Sequence, residues 1–338
     1  MRLPAHDSPQ HTVQAGGARV ETADGGLPAS GAATVFGLDV HSETPLWVLH
    51  GASAAPTGRS LDVSTSTDEI SWPKSAELIA APLDAAGNEL FRVEADPERG
   101  YLTSAPGHGS HALTPDGRLL RCAPAGCLET TWQRLLISQV LPFAAVLQGL
   151  EVFHASAVVM GEDAIAIAGA SGAGKTSVAL ALCRLGGDFL ADDVVALEPS
   201  DGRLLVHPGT QIAGLDHREA KRLEDAGEPQ EEPIVAVNDR ERLLAVRGAS
   251  EPAPLAALFF VDRRMDGPTK PRFEPVTDAQ WLLSATFNFV LTSPERLQRL
   301  LEVCALVARC RVERIVAGPD ASATQLADAV AARMHSPA

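Results

Sequence analysis

A glycine-rich segment, Gly169-Ala-Ser-Gly-Ala-Gly-Lys-Thr176, constrains this chain more than any other feature. Its pattern Gly-x-x-x-x-Gly-Lys-Thr is typical of a turn whose backbone amides, with the positive end of the following helix, hold nucleotide phosphates. The apolar run Ala164 to Ala168 before it has the length of a buried strand. The mostly apolar run Lys175 to Leu185 after it ends at Gly186, a typical helix stop. The sequence therefore predicts strand, phosphate loop and helix in that order.

The loop residues have expected roles. Glycines keep side chains away from the phosphate chain, so we expect the whole loop to contact the nucleotide. These cofactor-binding residues are Gly169, Ala170, Ser171, Gly172, Ala173, Gly174, Lys175, Thr176 and Ser177. Lys175, one of only four lysines, is expected to reach the β- and γ-phosphates, and Thr176 to place its hydroxyl on Mg²⁺.

Two adjacent carboxylates, Asp192 and Asp193, follow a short apolar strand, Phe189 to Ala191. They are expected at the same edge of the sheet as the loop. One carboxylate can order Mg²⁺ while the other accepts the proton of an attacking hydroxyl. Neighbouring side chains of a strand point to opposite faces, so both can face the nucleotide only if the strand ends or bulges there. One metal ligand and one helix cap is the alternative for the pair.

His154 opens another apolar strand, Ala155 to Val159, which is next to the loop strand in the chain. If the two strands pair, the imidazole lies near the γ-phosphate. A histidine at a sheet edge with no role in chemistry is the alternative.

The chain divides into four predicted parts: a flexible tail (1–31), a mostly-β N-terminal domain (32–125), a connecting helix (126–150) and a nucleotide-binding domain (151–335). The tail has little apolar material to bury. Pro142 should kink or split the helix, which either couples the two domains or merely connects them. Strands are expected at 33–40, 45–51, 90–95, 100–104, 118–122, 194–197, 204–207, 243–246, 255–261 and 312–316. Helices are expected at 279–287, 294–309 and 324–334, and a charged helix and loop at 219–233.

Composition narrows the class of protein. The 338 residues carry a net charge of −15, so no global basic field favours nucleic acid or anionic lipid as partner. The longest uncharged apolar run, 135–150, is too short to span a bilayer, and the first 30 residues have no secretory pattern. Five cysteines without Cys-x-x-Cys spacing favour free thiols. We expect a soluble cytoplasmic protein.

Together, His154-Ala-Ser, the loop, the helix ending at Gly186-Gly187 and Ala191-Asp192-Asp193 resemble the HPr kinase/phosphorylase family, spacing included. More closely, the chain resembles bacterial HPr-kinase-related proteins, some of which phosphorylate ribosomal peptide precursors in lasso-peptide pathways. The resemblance implies an α/β (α+β) fold: a P-loop kinase core of the HPr kinase C-terminal-domain and phosphoenolpyruvate carboxykinase type, with a smaller mostly-β N-terminal domain. It also implies phosphate transfer from ATP to a serine hydroxyl.

Carried over by position, the resemblance implies a catalytic set of His154, Lys175, Asp192 and Asp193, with Asp193 as the proton acceptor. Thr176 and Asp192 would hold Mg²⁺, and His154 would lie near the transferred phosphate. The family's Glu-x-Arg-Gly segment is missing after Asp193. Local candidates for its metal carboxylate are His207-Pro-Gly209 and Asp216-His-Arg218. Arg247, Arg263 and Arg264 could contact phosphate by charge, but solvated surface arginines are the preferred interpretation.

Three functions are compatible with these residues. The first is an ATP- and Mg²⁺-dependent kinase of a serine or threonine hydroxyl on a peptide or small protein, for which a ribosomal peptide precursor is a candidate. The second is a small-molecule alcohol kinase, and the third a regulatory module that binds nucleotide without transferring phosphate. ATP and GTP both fit the loop, and a homo-oligomer is compatible with the resemblance.

Overall fold

The computed structural model describes residues 32–336 except 50, 53–54, 85, 125, 226, 228–230, 239 and 288–292. The predicted tail, 1–31, lies outside the described residues. The architecture is mixed α/β, with two large sheets and a small one. None of the helices in the described ranges is long and apolar enough to cross a membrane.

Residues 32–123 form an eight-stranded sheet in the order β1-β2-β3-β8-β7-β6-β5-β4, in which β2, β3 and β8 run parallel. The strands are β1 (Ala32–Val35), β2 (Leu38–Ser42), β3 (Ser60–Thr65), β4 (Glu77–Ala80), β5 (Arg92–Asp96), β6 (Gly100–Ala105), β7 (Gly109–Leu113) and β8 (Leu119–Ala123). The strands expected at 90–95, 100–104 and 118–122 are confirmed as β5, β6 and β8.

The prediction for 33–51 is wrong in detail. The first expected strand is a hairpin of β1 and β2, turning at Phe36 and Gly37, which both have positive φ. The second is a 3₁₀ turn at Trp47–Leu49. Phe36 lies in the turn, but its ring is buried. The apolar pattern therefore continues through the turn, and the sequence predicts one unbroken strand. The missed strand β3 alternates buried and exposed residues, but serine, aspartate and threonine mask its apolar period.

The connecting segment consists of α1 (Glu129–Leu135), a π-helical turn (Leu136–Val140) and α2 (Leu141–Leu147). Pro142 lies in the first turn of α2, directly after the π-helical turn, so the helix is divided next to the proline as expected. Trp132, Leu136 and Val140 share one core cluster with the N-terminal sheet and with Val152 of the second sheet. The helix therefore packs against both sheets instead of only joining them.

The second sheet has the order β12-β10-β11-β18-β14-β13-β9, with β20 beside β18 and β19 beside β20. Its strands are β9 (Glu151–Phe153), β10 (Ala155–Met160), β11 (Asp163–Gly169), β12 (Asp188–Ala191), β13 (Val195–Ser200), β14 (Arg203–His207), β18 (Ala253–Arg263), β19 (Arg272–Pro275) and β20 (Arg311–Ala317). A small sheet has the order β15-β17-β16, formed by β15 (Ile212–Asp216), β16 (Ile234–Val237) and β17 (Glu241–Ala245).

Helices cover both faces of the second sheet. The helices are α3 (Lys175–Arg184), α4 (His217–Asp225), α5 (Gln280–Ser284), α6 (Pro294–Val307) and α7 (Ala323–Met334). α3 and α7 bury apolar residues on one face, and α6 buries Leu300, Val303 and Val307 on the other. The expected helices at 294–309 and 324–334 are confirmed. The helix expected at 279–287 ends at Ser284, because the chain then bridges from Thr286 to Phe153.

His111 of β7 illustrates how tightly the connecting helix is packed. Its ring is fully buried and stacks on Trp132 with 6.1 Å between ring centroids. Burial lowers the pKa of His111 from 6.5 to about 4.

The lowered pKa of His111 predicts that the free energy of unfolding decreases in acid. Between pH 6.5 and about 4 the unfolded chain binds a proton at His111 that the folded chain does not, so stability falls as the pH falls through that window. His111→Phe should remove roughly 3 kcal/mol of this pH dependence. Urea unfolding at several pH values measures it, with the exposed His41→Gln as control. Equal slopes for wild type and His111→Phe would contradict the burial argument.

Candidate functional site

The predicted strand, loop and helix are present as β11, residues 170–174 and α3. β11 runs parallel to β18, so the loop leaves the sheet at the carboxyl end of both strands. Gly169 has a φ of 144°, and a Cβ there would lie 2.8 Å from the Val261 carbonyl oxygen. Gly174, with a φ of 93°, turns the chain into α3. Both positions require glycine, as a phosphate loop does.

Lys175 begins α3 and is almost fully buried. Its Nζ donates to the carbonyl oxygens of Gly169 at 3.2 Å and Ala170 at 3.4 Å, which holds the ammonium over its own loop. Burial lowers the pKa of Lys175, and the charges of Asp193 and Asp192 oppose that shift. The lysine is thus placed where a phosphate chain on the loop would meet it.

Asp192 lies beside Thr176, as expected for a shared metal site. Its Oδ1 accepts hydrogen bonds from Thr176 Oγ1 at 2.8 Å and from Ser156 Oγ at 2.6 Å. Its Oδ2 accepts one from the backbone amide of Gly214 at 2.9 Å. Burial and the neighbouring charge of Asp193 raise the pKa of Asp192, although these three hydrogen bonds favour its charged form.

Asp193 has a φ of 67°, in the left-handed region that non-glycine residues rarely adopt. β12 ends at Ala191, so Asp193 lies beyond the strand. Its left-handed backbone, and not the alternation of a strand, sets the direction of its carboxylate. Asp193 Oδ1 lies 3.3 Å from His154 Nδ1, and Oδ2 accepts from Arg134 Nη2 at 3.3 Å. Burial raises the pKa of Asp193, but Arg134, then His154 and Lys175 outweigh it and hold that pKa below its ordinary value.

His154 lies between β9 and β10, and its backbone amide donates to Ala285 at 2.6 Å. The expected pairing of strands β10 and β11 is confirmed, with Ala155 opposite Ala168, and it brings His154 to the end of the sheet where the loop begins. The imidazole side chain is 43% exposed, so a molecule in solvent can reach it.

The sequence analysis missed two residues near Asp193. Arg134 of α1 donates from Nε to Glu241 Oε1 at 2.7 Å and from Nη2 to Asp193. Glu241 lies on β17, and a Cβ on Gly214 of the adjacent β15 would be 2.2 Å from Glu241 Oε2. A lone basic residue inside an apolar helical pattern was the available signal for Arg134. Nothing local marks Glu241, because its place at the site depends on the small sheet.

The surface interpretation of Arg263 is wrong. Its Nε donates to the carbonyl of Ala173 in the loop at 3.0 Å, and its Nη1 donates to Ala321 at 2.7 Å. It therefore supports the glycine-rich loop from behind. Arg247 is exposed, and Arg264 pairs with Asp262 at 2.7 Å.

The two local candidates for a second metal carboxylate have other partners. His207 Nε2 lies 2.7 Å from Glu198, which also pairs with Arg59 of the N-terminal half. Asp216 is exposed and accepts from the Arg218 amide at 2.7 Å. The structure therefore connects the first candidate to the contact between the sheets and the second to the start of α4.

The donor set fits Mg²⁺. Thr176 and Asp192 present hard oxygens 2.8 Å apart beside the glycine loop. Within the described residues no group of three or more His, Cys, Asp or Glu side chains could hold a metal. Mg²⁺ typically takes one or two protein oxygens and completes its shell with phosphates and water, which matches this arrangement.

No protein-family model matches the sequence, and no curated protein matches it. Among solved structures, the chain is similar to the Hpr(Ser) kinase/phosphatase from Coxiella burnetii, with 16% identity and a TM-score of 0.23. That similarity covers 47% of this chain and 88% of the other. Similarity at this level says nothing about the function of this chain.

The loop geometry predicts that Lys175→Met weakens binding of ATP-Mg²⁺ at least tenfold, because the ammonium is the only lysine charge held over the loop in the described part of the chain. Saturating ATP-Mg²⁺, at about a hundred times Kd, should stabilise the wild type by roughly 2.7 kcal/mol. Thermal unfolding with and without nucleotide measures both values. Exposed Lys74→Met is the matched control, and equal stabilisation of Lys175→Met and wild type would contradict the assignment.

Proposed function

We propose that this protein is an ATP- and Mg²⁺-dependent kinase that phosphorylates a serine or threonine hydroxyl on a peptide or small protein. The observation that carries the proposal is the opposite environment of two adjacent carboxylates. Asp192 is bonded to hydroxyls and an amide beside the loop, whereas Asp193 lies against Arg134 and His154 with a lowered pKa. Phosphoryl transfer to an alcohol can use such a division between a metal ligand and a proton acceptor.

The loop amides and Lys175 would hold the β- and γ-phosphates of ATP. Thr176 and Asp192 would hold Mg²⁺, which would supply positive charge against the negative charge that develops on the phosphate oxygens. The acceptor oxygen attacks the γ-phosphorus, the bond to the β-phosphate oxygen breaks, and ADP leaves. Asp193 takes the hydroxyl proton, and His154 at 3.3 Å orients its carboxylate.

Exposure of the site favours an acceptor that belongs to a larger molecule. The side chain of Asp193 is 26% exposed and that of His154 is 43% exposed, so both can be approached from solvent. An acceptor hydroxyl on a peptide can reach such a site without being enclosed. The first acceptor class to test is a ribosomal peptide precursor, which the family resemblance of the sequence implies. The second is a small alcohol.

Asp193→Asn should lower phosphate transfer about 100- to 10,000-fold, the usual contribution of a general base, with ATP affinity within a few-fold of wild type. Asparagine tolerates the left-handed conformation, so the backbone should persist. The assay incubates enzyme with γ-labelled ATP, Mg²⁺ and peptides encoded beside its gene.

Asp201→Asn is the matched control, since Asp201 also has a positive φ but lies in an exposed turn. Transfer that survives Asp193→Asn would exclude Asp193 as the proton acceptor. A wild type that binds ATP yet labels neither a peptide nor a small alcohol would favour the regulatory module instead.

A further inference from the structure

We propose that Arg134 is a positioning residue: it fixes the Asp193 carboxylate in the site and makes that geometry depend on the N-terminal half of the chain. The inference rests on the proposed function, because Asp193 matters there as the proton acceptor. Arg134 comes from the connecting helix, outside the strand, loop and helix that form the rest of the site.

The guanidinium of Arg134 joins two carboxylates. It donates from Nε and Nη2 to the two oxygens of Glu241, at 2.7 and 3.4 Å, and from Nη2 to Asp193 at 3.3 Å. Its side chain is 18% exposed and that of Glu241 is 16% exposed. A planar fork can make both contacts at once, whereas the single ammonium of lysine cannot reproduce that geometry. Glu241 therefore fixes Arg134, and Arg134 fixes Asp193.

Asp193 needs such support because its backbone is in a costly conformation. Its two oxygens have different partners, His154 on Oδ1 and Arg134 on Oδ2. With both in place, the carboxylate plane cannot rotate freely. Loss of Arg134 leaves only the His154 contact, and that histidine is the more exposed partner.

The neighbours of Arg134 on α1 face the other way. Trp132 is buried against His111 of the N-terminal sheet. The side-chain oxygen of Gln133 accepts from the backbone amide of Val48 at 3.4 Å. One helical turn thus contacts the N-terminal half of the chain with two side chains, one on the sheet and one on the 3₁₀ turn, and the site with a third. A displacement of that sheet relative to the second one moves the guanidinium that holds Asp193.

Gly214 completes the arrangement. Its amide donates to Asp192, and a Cβ there would lie 2.2 Å from Glu241 Oε2 and 3.1 Å from Arg134 Nη2. A side chain here would displace the Glu241 carboxylate and the Arg134 guanidinium, because both lie within 3.1 Å of that Cβ. Gly214→Ala is therefore a steric perturbation of the pair that leaves every charge intact.

The test compares Arg134→Met, Arg134→Lys, Glu241→Gln and Gly214→Ala with the exposed control Arg203→Met in the full-length protein. Arg134→Met should lower kcat at least 30-fold with KM for ATP within threefold of wild type. Arg134→Lys should recover no more than a tenth of the wild-type kcat. Glu241→Gln and Gly214→Ala should lower kcat three- to tenfold. An Arg134→Met kcat within threefold of wild type would overturn the proposal, as would equal losses of kcat and ATP affinity.

Hydrogen exchange gives a readout that needs no turnover. In Arg134→Met and in Gly214→Ala, amides of residues 190–196 should exchange faster than in Arg203→Met, while those of the loop, 169–176, stay unchanged. Unchanged exchange at 190–196 would overturn the positioning role even if the protein is not a kinase. Conversely, faster exchange there with no transfer by wild type would overturn only the proposed function. Gly214→Ala keeps both readouts available if Arg134→Met fails to fold.

Discussion

The site depends on one constraint: two adjacent, mostly buried carboxylates at the end of β12 must both be stabilised. Like charges this close raise each other's pKa and destabilise the fold unless their surroundings differ. Asp192 accepts three hydrogen bonds, from Thr176, Ser156 and Gly214, which stabilise its ionised form. Asp193 turns away through a left-handed backbone and meets a guanidinium. Four elements meet at this pair of carboxylates, and each supplies one hydrogen-bond donor to it: α1, α3, β10 and β15.

That division also determines what the pair can do. Groups whose environments push their pKa values apart take different chemical roles in one site. Burial raises the pKa of Asp192, and that of Asp193 is lowered against burial mainly by Arg134. A carboxylate kept ionised beside an exposed approach can accept a proton from an incoming hydroxyl. Its hydroxyl-bonded neighbour remains with Thr176 at the phosphate loop, where a hard cation is expected. In the proposed function, metal binding and proton transfer are thus assigned to two consecutive residues.

Sequence reasoning located the candidate residues that lie on neighbouring elements of the chain. The loop motif, the pair Asp192 and Asp193, and His154 all lie on strands that pair or follow one another, so apolar periods were enough to locate them. Arg134 is 59 residues from Asp193 and reaches it only because the connecting helix packs against both sheets. The left-handed φ of Asp193 has no signal in its neighbours. In the fold, long apolar strands were predictable, and the strand expected at 243–246 is β17 of the small sheet. The polar strand β3 was missed, as were β15 and β16, which are short segments defined by their pairing with β17.

The most direct test of this account is a crystal structure of the protein with Mg²⁺ and a non-hydrolysable ATP analogue. The account predicts the triphosphate on the amides of residues 169–176, with the metal against Thr176 and Asp192. It also predicts the Asp193 carboxylate facing the terminal phosphate while still held by Arg134. A nucleotide bound away from the loop, or a terminal phosphate on the far side of Asp192 from Asp193, would contradict the assignment of these two carboxylates.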